Sequence, residues 1–169
     1  MNHHQRNGVV YHAPVCGMVK NNPNNMFFTK RKTLTGRRKD MIQYGLTKEL
    51  DIPYETVIEE VREALKKEGF GVLTEIDVKE KMKEKLGLDM GKYIILGACN
   101  PPNAYKAILA EENIGLMLPC NVIVYEKGSK TVLSVVRPTV AMQMIDNVEL
   151  QKLAEAIEGK LKKAFDSIK

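Results

Sequence analysis

Gly97–Cys120, GACNPPNAYKAILAEENIGLMLPC, decides how the rest of the chain is read. Lys92–Cys99 (KYIILGAC) enters it as a continuous apolar run of strand length, which predicts a central strand covered on both faces or nearly so. Asn100 suits a helix cap, and Pro101-Pro102 suits the first turn, where a missing donor costs nothing. The predicted helix carries Tyr105, Ile108 and Leu109 and ends near Glu112. Pro119 removes one ladder donor and so marks an edge, a bulge or a strand start. Cys99 therefore leaves one strand and Cys120 enters another, each beside a backbone irregularity.

Upstream, Ile42, Tyr44 and Leu46 alternate with polar or small residues as in a half-buried strand ending near Leu50. Pro53 opens a helix whose stripe is Val57, Ile58, Val61 and Leu65, stopped by Gly69. Phe70–Ile76 reads as a second strand. Asp77-Val78-Lys79-Glu80 resembles a capping box before a short helix with Val78, Met82 and Leu86 every four residues. Downstream, Val122–Glu126 and Thr131–Val136 flank Lys127-Gly128-Ser129-Lys130 as a hairpin. Val140–Ile145 fits a short edge strand or an extended connection, with Met142 and Met144 on one side as a subunit contact. Leu150, Leu153, Ile157, Leu161, Phe165 and Ile168 form the stripe of a last helix. The order βαβαβαββ(β)α predicts one layered α+β domain, with about five strands in a mixed or mainly antiparallel sheet and about four helices chiefly on one face.

The net charge of +5 is unevenly spread. Residues 1–40 hold eight basic side chains against Asp40 alone, leaving 18 basic and 20 acidic residues in 41–169 out of 26 and 21. The domain itself thus has no polyanion footprint, and nucleic acid is expected only through the basic segment. Low apolar periodicity and the NNPNN run predict disorder for 1–40, an extension or upstream start on a domain that begins near Met41. No run reaches the roughly 18 to 20 apolar residues of a membrane span, and the amino terminus lacks a secretory pattern, so a cytoplasmic location is expected.

Three cysteines without a CxxC pair do not make a disulfide scaffold. Glycine-rich phosphate loops and HExxH are absent. Histidine occurs only at His3, His4 and His12, so a Cys-His dyad cannot be built from residues 41–169. Those histidines with Cys16 match no compact zinc pattern. Cys99, near a helix amino terminus, is a candidate activated thiol, and packing is its bland alternative. If the strands around Cys99 and Cys120 are parallel neighbours, the thiols lie a strand length apart. If the second strand begins near 115–117, they can meet. Two thiolates are an incomplete zinc site but suit a soft ion such as copper(I).

GACNPPNAYKAIL, followed by IGLMLPCNVIVYE and preceded by DIPYETVIEEVREALKKEGFGVLTEIDV, resembles the family called domain of unknown function 302 over about Tyr44–Ile168. The resemblance implies a compact α+β domain that associates as a homodimer. It places the family's motif residues at Cys99, Asn100, Pro101, Pro119 and Cys120, without a catalytic role. Those residues, with Glu126, are the expected ligand-binding set, and Cys99 and Cys120 are the metal candidates. The leading expectation is a small protein that binds a small molecule or soft metal ion or senses redox state there. The alternatives are an assembly module with packing cysteines and a thiol enzyme using Cys99.

Overall fold

The computed structural model of the protein describes residues 44–169. The basic segment 1–40, its expected disorder, His3, His4, His12 and Cys16 lie outside the described residues. Five strands form one sheet: β1 (Gly45–Leu50), β2 (Gly71–Asp77), β3 (Tyr93–Cys99), β4 (Cys120–Lys127) and β5 (Lys130–Val136). Their spatial order is β1-β5-β4-β3-β2, and every neighbouring pair is antiparallel. The helices are α1 (Tyr54–Lys67), α2 (Val78–Leu86), α3 (Pro101–Ala110), α4 (Pro138–Ala141) and α5 (Val148–Ser167), with a 3-10 segment at Glu112–Met117.

Local chemistry places the ends of these elements. Gly69, at φ 81°, turns α1 into β2 through a left-handed conformation that glycine adopts without a Cβ clash. Asp77 Oδ1 accepts from the Glu80 amide at 2.9 Å and caps α2. Asn147 accepts from the amides of Glu149 and Leu150 at the start of α5.

One face of the sheet receives α1 and α5. Leu96, Ala98, Val122, Val124, Leu133 and Val135 project there against Val57, Val61, Leu65, Leu161 and Ala164, all buried. At about 25 cal/mol per Å² of apolar surface, this packing is the main stabilising contribution, and the stripes of α1 and α5 supply its helical half. A smaller second core, Ala107, Ile114, Met142, Leu150 and Ala154, sits under α3, the 3-10 segment and the start of α5.

Two expectations are corrected. Val140–Ile145 is not an edge strand: Pro138 starts the helical turn α4, and Met142 N donates to Pro138 O at 3.0 Å. Glu158 holds that turn, accepting from Thr139 N at 3.0 Å, from Thr139 Oγ1 and from Arg137 Nε at 2.8 Å. Met142 and Met144 therefore do not share a side, since Met142 is buried in the second core and Met144 is 77% exposed. The helices of the main core meet β3 on its Leu96 and Ala98 side, while its other face is half-buried at Tyr93, Ile95 and Cys99 and closed over Gly97 by Thr74 and Pro119, near the cover expected for this strand.

Candidate functional site

β3 and β4 are antiparallel neighbours although a helix joins them, so the end of one adjoins the start of the other. Ala98 pairs with Cys120 and Gly97 with Asn121. The parallel arrangement, which would hold the cysteines a strand length apart, does not occur. Side chains alternate across a strand, however, so Cys120 shares the helix-covered face with Ala98 while Cys99 belongs to the opposite face. The burial agrees: Ala98 and Cys120 are core residues, and Cys99 is half-buried. Register brings the cysteines side by side, and although their positions differ in parity, both border one recess.

Asn100 is buried and its amide is satisfied. Its Oδ1 accepts from Asn103 N at 3.3 Å and Asn103 Nδ2 at 2.8 Å, capping α3, while its Nδ2 donates to Gly69 O at 2.9 Å. The side chain is thus a brace between the α1–β2 turn and the start of α3. Pro101 occupies the first turn of α3 and is exposed. Pro119, after a cis Leu118–Pro119 peptide, lies over Gly97, where an added Cβ would come within 2.7 Å of its Cγ and 2.2 Å of Thr74 Oγ1. Only glycine fits beneath that pair.

Behind Cys120 is a recess of about 30 Å³, lined among others by Phe70, Asn100, Leu118, Cys120, Met142 and Ala154. Cys99 also borders it. That volume suits one or two waters, far below the roughly 300 to 1,000 Å³ of small-molecule pockets. Burial pushes the Cys120 thiol up to about 11, with the neighbouring Cys99 adding to the shift. Burial raises Cys99 as well, the reverse of the activation expected beside a helix amino terminus. Among the described residues no cluster of three or more His, Cys, Asp or Glu side chains is placed to hold a metal ion.

Glu126 stands apart from this group. Six positions along β4 from Cys120, it is about 20 Å away at 3.3 Å per residue. There it lines an open cleft with Tyr54, Asp51 and Lys130. Burial, then Asp77, Glu55 and Glu126, pushes the Tyr54 hydroxyl up to about 12.

The feature that sequence reasoning missed is the other face of the sheet. Tyr93 and Tyr125 stack there with ring centroids 5.3 Å apart, and Ile95 pairs with Ile123 beside them. Ile76, opposite Ile95, is 45% exposed. The signal was present in the apolar run Lys92–Cys99, which predicts cover on both faces or nearly so without naming what supplies it. Among the described residues, the helix contacts of the main core fall on the other side. The polar part of this face lies toward β1, where Thr47 and Ser134 hydroxyls bond at 2.7 Å and Lys127 pairs with Glu49.

The sequence profile described as Domain of unknown function DUF302 matches residues 46–168. The chain belongs to the DUF302 family. A crystal structure of an uncharacterized conserved DUF302 protein from Bacillus stearothermophilus is 32% identical, with a TM-score of 0.71. The match covers 76% of this chain and 100% of that one. No curated protein matches the chain. The DUF302 fold is therefore secure here, the family carries no assigned function, and no helix among the described residues is long and apolar enough to cross a membrane.

Proposed function

We propose that this DUF302 domain is an assembly module, a homodimer formed through the face of its sheet opposite α1 and α5, with Cys99 and Cys120 as packing residues. The observation that carries the reading is the apolar surface of Tyr93, Tyr125, Ile95, Ile123 and Ile76 opposite the helices. Ile76 is 45% exposed and the other four are half-buried, so the chain leaves part of this apolar face for a partner to cover. The edge helix α2 adds support: it packs on β2 and β3 without burying one residue fully, and Leu86 and Leu88 beyond it are more than half exposed. A second copy of the chain supplies cover by a symmetric contact.

Raised thiol values and the absence of a histidine beyond residue 12 weigh against a thiol enzyme using Cys99. A soft metal ion held by both cysteines of one chain is disfavoured because no third His, Cys, Asp or Glu among the described residues joins them as a ligand. One observation still favours a ligand reading: the recess at Cys120 and Asn100, whose size limits a preformed occupant to something near one or two waters.

Native mass spectrometry of the full chain separates the two. The assembly reading expects twice the chain mass without an adduct. A retained small adduct that disappears in Cys120→Ala would favour the recess instead.

A further inference from the structure

A second apolar surface lies at the other end of the molecule, over the smaller core. Leu116 of the 3-10 segment is 84% exposed and Met144, after α4, is 77% exposed. Both line an open groove of about 410 Å³ whose walls also include Met117, Ile145, Glu111 and Asp146. Asn147 Nδ2 donates to Ala110 O at 3.0 Å, tying the start of α5 to the end of α3. Leu109 and Val148, each next in sequence to a residue of that bond, are both exposed. The support beneath is firm, since Ile114, Met142 and Leu150 are buried under it. These side chains are displayed on a packed base, not left over from a loose one.

The charge around the groove has one dominant sign. Glu111, Glu112, Asp146 and Glu149 stand on these segments, and none of them joins an ion pair among the described residues. Glu111 accepts only the Asn113 amide, at 3.2 Å. Lys106 and Lys152 are the cations on the same stretches. A second copy is a poor occupant, because a symmetric contact would set carboxylates against carboxylates. A small molecule would stay largely in solvent in so open a groove.

We propose that this groove docks a short cationic amphipathic segment of a partner protein, with apolar side chains on Leu116 and Met144 and lysines or arginines against Glu111 and Asp146. Methionine suits the task, since its flexible thioether adapts to different apolar shapes. The carboxylate rim steers the cationic segment and sets its sign preference. The inference is independent of the proposed dimer, which uses the sheet face.

The test is fluorescence anisotropy of the full chain with a labelled synthetic helix of leucine and lysine, about four turns long. A leucine–glutamate helix of the same pattern is the control. Saturable binding of the lysine peptide is expected, weakened about tenfold or more by Leu116→Ser with Met144→Ser. Glu111→Gln with Asp146→Asn should weaken it too and flatten its salt dependence. Leu73→Ser, at an exposed position on β2, should leave it unchanged. The proposal is overturned by no saturable binding, by equal affinity for the glutamate peptide, or by a Leu73→Ser loss as large as the groove variants give.

Discussion

Gly97 shows how one missing methyl group shapes the cysteine end of the sheet. Thr74 and Pro119 close over its α carbon, and any larger residue must push one of them aside. Gly97→Ala should lower stability by about 1–3 kcal/mol, read as a shifted urea midpoint. Thr74→Ala should restore part of that loss but not all, because the contact with the Pro119 ring remains. Cys120 makes a prediction about pH. Its folded value, about 11, lies above the ordinary thiol value of 9.0, so its protonated form is favoured by folding. Its contribution is fully present below pH 9 and is lost as pH rises toward 11, approaching about 2–3 kcal/mol. Cys120→Ala should remove that slope from a stability profile across the window. An equal slope in the variant would mean that another group titrates.

At the level of elements, α4 is the place where local pattern misled and tertiary contact decided. Val140, Met142 and Met144 alternate with smaller or polar residues as a strand would, yet Pro138 presets a helical turn and Glu158 fastens it to α5. A carboxylate twenty residues away is invisible to a period-two reading. Burial alone would raise Glu158, but the bonds from Thr139 and Arg137 outweigh it and hold the carboxyl below its ordinary value. The depressed value means that the clamp stabilises the fold above the ordinary carboxylate pKa and is lost as pH falls through the folded one. Glu158→Gln should cost about 1–3 kcal/mol at neutral pH and flatten the acid side of the stability profile. Asn100→Ala should cost a similar amount, since it removes both the cap of α3 and the brace to Gly69. A neutral result would show that the brace is redundant.

For the whole molecule, strand and helix periods made most of the element order legible, because each core helix carries one stripe and each turn its own glycine, proline or asparagine. The pairing partners were not legible. Nothing local to Cys99 or Cys120 states that β3 and β4 run antiparallel across a helix, and the candidate site depended on that. Glu126 was expected in one ligand set with the cysteines, although a strand length separates them in space. The apolar run of β3 was legible as a strand covered on both faces or nearly so, but what completes the cover opposite α1 and α5 was not. That face is the basis of the assembly reading. Its most direct test is sedimentation equilibrium of the full chain and of Ile123→Glu, which places a charge on the face opposite α1 and α5. The account predicts a dimer for the unaltered chain and a folded monomer, with unchanged helical content, for the variant. A monomeric unaltered chain, or a dimer untouched by the substitution, would contradict it.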